Sequence, residues 1–171
     1  MQKNKLYISS LSCSVEIVSK SIDINKLTTD IKANELLYRF IPNLSFEKSD
    51  KLVSLLVESA ANKNLTFSLQ NSMIQGKYAV DYSSTDVIVM AEYLLERLRQ
   101  EKDICIIHST SISNKNGGII FFGNPTGTGK TSIALYLSKR MNYELYSDEK
   151  TLVNLKSEEV CGQVSKIYLE D

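Results

Sequence analysis

The chain has 171 residues, which suits one domain or one domain with a small appendage. A hydrophobic fraction of 43% and a charged fraction of 23% are typical of a globular protein with a buried core. Twenty Lys and Arg residues balance twenty Asp and Glu residues, so nothing in the net charge favours nucleic acid or an anionic membrane as a partner.

The cysteines and the hydropathy pattern indicate where the protein works. Cys13, Cys105 and Cys161 lie far apart and follow no metal-ligand spacing. An odd count without a secretion signal is typical of reduced thiols in a cytoplasm. No stretch approaches the roughly twenty apolar residues that span a bilayer. We therefore expect a soluble cytoplasmic protein.

The first hundred residues predict a β-rich portion with some helix. Alternation and short apolar runs indicate strands at 6–8, 15–18, 65–69 and 78–82. Gln75-Gly76 is the expected turn between the last two strands, which would form a hairpin. Residues 31–40 are ambiguous between helix and strand.

Two helices are predicted in the same portion. Leu52, Leu55 and Leu56 share a helical face, which predicts a helix from Ser49 to about Ala61. A longer helix is expected from Asp86 to Gln100, where apolar residues recur with a helical period. Its charged side chains are expected on the solvent side, namely Glu92, Glu96, Arg97 and Arg99.

The last seventy residues predict strands around one helix. Strands are expected at 104–108, 119–122, 143–147, 151–155 and 165–169. The turn at 114–118 is short enough to make a hairpin of the first two. A helix is expected at 131–141, with Ile133, Ala134 and Leu137 facing inward.

The stretch from Gly123 to Thr131, GNPTGTGKT, carries the clearest chemical meaning. It joins an apolar strand to a helix, and its glycines let successive backbone N–H groups turn inward as a nest for phosphate oxygens. The start of the helix adds unsatisfied amides and a positive dipole. Lys130 would reach the β- and γ-phosphates, and the Thr131 hydroxyl would ligate Mg²⁺. The predicted nucleotide-binding residues are Asn124, Pro125, Thr126, Gly127, Thr128, Gly129, Lys130, Thr131 and Ser132.

Asn124 departs from the pattern GxxxxGK[ST], which has a glycine at that position. Asn tolerates left-handed backbone geometry better than other non-glycine residues, so the loop can still form. The alternative is a Gly-rich turn that binds nothing. A turn without a ligand does not need Lys and Thr after its glycines, so the sequence Gly-x-Gly-Lys-Thr favours phosphate binding.

Acidic residues that complete such a site are expected at the end of the next strand. Asp148 and Glu149 follow the strand predicted at 143–147, at the sheet edge where ligands of α/β proteins gather. One carboxylate would hold Mg²⁺ and one would accept the proton of an attacking hydroxyl. His108, the single histidine, is either a hydrogen-bonded core residue or a catalytic one.

The span from His108 to Leu155 resembles the HPr kinase/phosphorylase family of serine kinases, whose fold is related to the nucleotide domain of phosphoenolpyruvate carboxykinase. The loop is similar to the family's G-x-S-G-x-G-K-[ST], including its central glycine at Gly127. A His-small-small segment precedes the loop, and an acidic pair ends the strand after the helix. The pair is Asp-Glu here, where the family usually has Asp-Asp.

The resemblance implies a role for each residue. Asp148 would accept the proton of the substrate hydroxyl, Glu149 would help to hold Mg²⁺, and His108 would lie against the carboxylates. Together with Lys130 this implies an ATP- and Mg²⁺-dependent kinase acting on a serine-type hydroxyl of a protein, peptide or small molecule. Related kinases are often homo-oligomers.

These observations predict one α/β domain over 1–171, with a β-rich portion at 1–100 and a nucleotide-binding core at 101–171. The expected architecture is a mixed P-loop sheet of the HPr-kinase type. Related kinases continue beyond the strand expected at 165–169, so the chain is a minimal version, a fragment, or a protein whose partner supplies the rest. Two other functions stay open, namely a nucleotide-binding sensor or assembly module without turnover, and a simple NTPase.

Overall fold

The computed structural model describes residues 5–19, 23–58, 64–70, 73–79, 83–123 and 127–162. These residues form two compact units, one comprising residues up to 37 together with 44–99, and the other comprising 38–43 together with residues from 100 onward. They confirm the mixed α/β class, with four helices and two sheets. Within these ranges, no helix is both long enough and apolar enough to cross a membrane.

The first unit is built on a five-stranded mixed sheet. Its strands are β1 (Leu6–Ser10), β2 (Cys13–Ser19), β3 (Lys51–Glu58), β4 (Asn64–Gln70) and β5 (Met73–Ala79). Its helices are α1 (Ile24–Ala33), α2 (Glu35–Phe40) and α3 (Ser84–Gln100), and the last three residues of α2 belong to the second unit. The sheet order is β1-β2-β3-β5-β4, in which the two outer pairs are antiparallel and the inner pairs are parallel.

The second unit is an antiparallel sheet with one helix. Its elements are β6 (Ile104–Asn114), β7 (Gly117–Phe122), α4 (Lys130–Met141), β8 (Glu144–Ser147), β9 (Lys150–Asn154) and β10 (Glu159–Gly162). The order is β10-β9-β6-β7, and β8 also pairs with β6. The predicted hairpin of β6 and β7 is confirmed, with Asn114 opposite Gly117.

The helix predicted at 49–61 is wrong, because the chain forms β3 over Lys51–Glu58. Val53, Leu55 and Val57 are buried and their neighbours are half-buried, which is the period of a strand. β3 lies between two parallel partners, β2 and β5. Leu52 and Leu56, on its half-buried face, are apolar as well, and such a short apolar run cannot be told from a helix by its spacing.

The hairpin predicted in the same region is confirmed, but its turn is not where the sequence suggested. β4 and β5 pair antiparallel, so the chain reverses between Gln70 and Met73. Gly76 lies inside β5, opposite Phe67. A Gln-Gly pair is compatible with a turn, and the cross-strand pairing overrides that local preference. The predicted residues 80–82 and 165–169 lie outside the described ranges.

The long helix α3 is confirmed, but two of its charges are not on the solvent side. Ser83 caps the helix, since its Oγ accepts a hydrogen bond from the Asp86 N–H at 3.2 Å. Arg99 is fully buried, where its Nη2 donates to Glu92 Oε1 at 3.0 Å and its Nη1 donates to Ser10 Oγ at 3.0 Å. Glu92 and Arg99 are two turns apart, so each supplies the partner that lets the other be buried.

The remaining predictions for the second half fit, apart from one side chain. Strands form at the expected places around 104–108, 119–122, 143–147 and 151–155. In α4, Ala134 is buried and Leu137 is half-buried, as expected. Ile133 is 49% exposed, so the prediction that it faces inward is wrong.

The first unit should lose stability in acid through Glu16, which is almost buried in β2. Burial raises the pKa of this carboxyl, but hydrogen bonds from Lys5 at 2.6 Å, Tyr7 at 3.0 Å and Ser54 at 3.4 Å outweigh burial and leave the pKa below the ordinary 4.5. A lowered pKa stabilises the fold above the ordinary value, and this contribution is lost as the pH falls through the folded-state pKa.

We expect Glu16→Gln to lower the urea midpoint of unfolding at pH 7 and to make the midpoint less dependent on pH between about 5 and 3. Glu47→Gln, in the same unit, is the control and should follow the wild type. A Glu16→Gln variant that keeps the full acid sensitivity of the wild type would remove the assignment.

Candidate functional site

In the described part of the loop after β7, two glycines have left-handed backbone geometry. Gly127 and Gly129 adopt left-handed φ angles of +86° and +81°. A Cβ at either glycine would meet no atom within 4 Å, so the glycines are needed for backbone conformation and not for space. Three predicted nucleotide-binding residues, Asn124, Pro125 and Thr126, lie outside the described ranges.

The start of α4 carries donors that face this loop. Gly129 is the N-cap and offers no side-chain hydrogen bond to the helix. The first backbone N–H groups of an α-helix have no partner inside it, so those of Lys130, Thr131 and Ser132 are left to other acceptors. Lys130 Nζ donates to the Gly123 carbonyl at 3.3 Å. The Lys130 side chain therefore connects the end of the loop to its beginning.

Asp148 lies directly after β8 and is 8% exposed. Its Oδ1 accepts hydrogen bonds from Thr131 Oγ1 on α4 at 2.9 Å and from Thr110 Oγ1 on β6 at 2.6 Å. The two hydroxyl oxygens are 3.4 Å apart. Three oxygens from three separate elements thus converge at one point beside the glycine loop.

A chain of buried hydroxyl groups fixes the strands that carry Asp148. Ser111 Oγ bonds Ser147 Oγ at 2.6 Å, Ser147 Oγ bonds Thr151 Oγ1 at 2.6 Å, and Ser109 Oγ donates to Thr151 Oγ1 at 2.7 Å. These groups belong to β6, β8 and β9 and are almost fully buried. They tie the residues on both sides of the acidic pair to the central strand.

A register shift aims the end of β8 at the site. Ser111 faces Ser147, but Ile112 faces Leu145, so Tyr146 is an extra residue on β8. Such a bulge bends its strand and re-aims the side chains that follow. Here the next residues are Ser147, which joins the hydroxyl chain, and Asp148.

Glu149 points to a different set of partners. Its backbone is left-handed, with φ at +71°, and its carbonyl accepts the Ser109 N–H at 3.2 Å. Its Oε1 forms an ion pair with Arg39 Nη2, and its Oε2 is 4.0 Å from His108 Nδ1. The His108 side chain is 59% exposed. The second acid of the pair is therefore engaged by Arg39 beside an accessible histidine.

The oxygens around Asp148 fit Mg²⁺ better than a softer metal. Among the described residues, no group of three His, Cys, Asp or Glu side chains forms a metal cage. One carboxylate with neighbouring hydroxyls is the donor set of an ion that keeps several waters and takes its other ligands from phosphates. Asp148 and Thr131 would hold such an ion, with Thr110 as a third oxygen.

Sequence reasoning found part of this arrangement. The structure brings the predicted residues Thr131 and Asp148 together, and it sets Glu149 against Arg39 and His108. Thr110 was not predicted, although alternation along β6 puts it on the same face as His108 two residues earlier. Arg39 lies 110 positions from Glu149, and no local pattern could have indicated it.

Compared with known proteins, the chain matches no protein-family model and no curated sequence at a significant level. The geometry of the site is therefore the basis for a functional proposal.

The ion pair of Arg39 and Glu149 should stabilise the second unit by a measurable amount. Both side chains are about one-third exposed, so solvent screening limits the coupling free energy to about 1 kcal/mol. We expect this value from a double-mutant cycle of Arg39→Gln and Glu149→Gln in urea unfolding. A cycle of His108→Gln and Glu149→Gln is the control, and its coupling should be smaller because those groups are 4.0 Å apart. Equal coupling in the two cycles would contradict the assignment.

Proposed function

We propose that the chain binds Mg·ATP through the loop 123–131 and transfers the γ-phosphoryl group to a hydroxyl of a protein, peptide or small molecule. This is the chemistry of the HPr-kinase-like serine kinases. We propose that the second unit has the P-loop type of sheet found in that family. The observation that carries the proposal is the contact of Thr131 Oγ1 with the buried Asp148 Oδ1 at 2.9 Å. A hydroxyl at the start of a helix after a glycine loop, bonded to a carboxylate at a strand end, is the pair that shares Mg²⁺ in phosphate-binding loops.

The phosphates are assigned to the loop because its donors are unusually concentrated. Left-handed glycines, uncapped helix amides and the Lys130 ammonium all border the same segment. Together they offer a nest, a positive dipole and one full charge to the β- and γ-phosphates. Bound Mg²⁺ would add charge neutralisation between those phosphates.

In the reaction, the substrate hydroxyl oxygen forms a bond to the γ-phosphorus as the bond to the β,γ-bridging oxygen breaks, and ADP leaves. We assign the hydroxyl proton to Asp148 Oδ2, which takes no part in the two hydroxyl hydrogen bonds to Oδ1. Asp148 would then position the metal with one oxygen and orient the nucleophile with the other. The rate would come mainly from positioning and from charge stabilisation.

Glu149 and His108 have supporting roles in this proposal. Because Arg39 engages the Glu149 carboxylate, Asp148 is the better candidate for the metal. His108 lies next to Glu149 with an exposed ring, where it can contact an incoming substrate. The Arg39–Glu149 ion pair then stabilises the turn that carries Asp148.

Lys130→Ala should weaken the binding of ATP by about tenfold or more, because it removes a charge-assisted bond to phosphate. The measurement is a calorimetric titration of ATP into the full chain, with and without Mg²⁺. Lys139→Ala, which removes an exposed lysine from the other end of α4, is the matched control and should bind as the wild type does. Absence of ATP binding by the wild type at millimolar concentration would refute the proposal.

Asp148→Asn should leave Mg²⁺-free binding of ATP unchanged, abolish the gain in affinity from Mg²⁺, and stop transfer. The assay follows label from γ-³²P-ATP to serine and threonine peptides, to small hydroxyl compounds and to water. Glu144→Gln, on exposed β8 surface, is the control. Transfer at the wild-type rate by Asp148→Asn would remove its catalytic assignment. Label that reaches water alone would identify a simple NTPase instead.

A further inference from the structure

An apolar pocket of about 430 Å³ opens beside the glycine loop, between the end of β7 and the first turn of α4. It is lined by Ile120, Phe121, Phe122, Gly123, Thr128, Lys130 and Ile133. Its volume lies within the usual range for small-molecule sites, which combine apolar walls with a few polar groups. All of its lining residues belong to the second unit.

The pocket is continuous with the proposed phosphate site. Gly123, Thr128 and Lys130 belong to both, and Lys130 Nζ bonds the Gly123 carbonyl at the boundary. A nucleotide whose phosphates lie in the loop can therefore reach this pocket with its base. Asp148 and Glu149 are not among the lining residues, so the pocket is distinct from the side where the acceptor hydroxyl must meet the carboxylates.

Two large apolar side chains at the pocket are strongly exposed. Phe122 is 75% exposed and Ile133 is 49% exposed. Single exposed apolar residues are common on protein surfaces, but an aromatic ring and an aliphatic chain that border one concave site form a binding surface. An accessible ring offers a face on which a planar heterocycle can stack.

We propose that this pocket binds the base of the nucleotide, with Phe122 as the stacking platform. The inference rests on the proposed function, since it needs phosphates in the loop. Among the described residues, the lining side chains include no carboxylate and no amide, and the proposed function assigns Lys130 to phosphate. Stacking is tolerant of base identity, whereas discrimination needs directed hydrogen bonds. The chain thus accepts adenine and guanine nucleotides with similar affinity.

The test compares ATP, GTP and inorganic triphosphate, each with Mg²⁺, in calorimetric titrations of the full chain. We expect ATP and GTP to bind within about threefold of each other, and triphosphate to bind about tenfold more weakly, which is the effect of one stacked base. Phe122→Ala should bring ATP to the affinity of triphosphate and leave triphosphate binding unchanged. Phe122→Tyr, which keeps the ring, should restore the wild-type preference for ATP.

Leu155→Ala is the matched control, since Leu155 is an apolar residue of the same unit, 63% exposed and outside the pocket lining. It should not change any of the three affinities. If triphosphate binds the wild type as tightly as ATP does, the base pocket is overturned and the phosphate site stands. If ATP exceeds GTP by more than about thirtyfold, the lack of base selectivity is overturned. If none of the three ligands binds, this inference fails together with the proposed function.

Discussion

The second unit is centred on one buried carboxylate that accepts hydrogen bonds from two hydroxyl groups. Asp148 lies almost out of solvent, where an unbonded carboxylate would be strongly destabilising. Thr110 and Thr131 satisfy one of its oxygens from two other elements. These bonds tie the end of β8 to β6 and to the first turn of α4. The polar cluster therefore organises the sheet and the helix around the loop.

The contact matters more because α4 is lightly packed. Of its twelve residues, Ala134 is the one that is fully buried. Most helices in globular proteins are held by a wide apolar face, so α4 depends to an unusual extent on the polar contact in its first turn. Removing the Thr131–Asp148 bond should thus affect the placement of the helix start, and with it the direction of the loop amides.

Sequence patterns predicted most of the second unit and less of the first. β6, β7 and α4 were readable because their alternation, turn glycines and helical period agree with the final fold. β3 was mistaken for a helix because apolar residues stand on both of its faces, so its sequence has no clean alternation. Thr131 and Asp148 followed from the logic of a phosphate loop. Arg39 could not, because its contact with Glu149 joins positions that are 110 residues apart and exists through tertiary structure alone.

The segment 38–43 belongs to the second unit, although the rest of that unit begins at residue 100. A polypeptide cut to 100–162 would keep the loop, Thr131 and Asp148, but it would leave Glu149 without the guanidinium of Arg39. The turn that carries Asp148 and Glu149 would then lose the positive charge that balances Glu149, next to the glycine loop. The second unit is for this reason not built from one contiguous segment of the chain. Recombination that moved residues 100–162 alone between genes would transfer the loop without the cation that supports it.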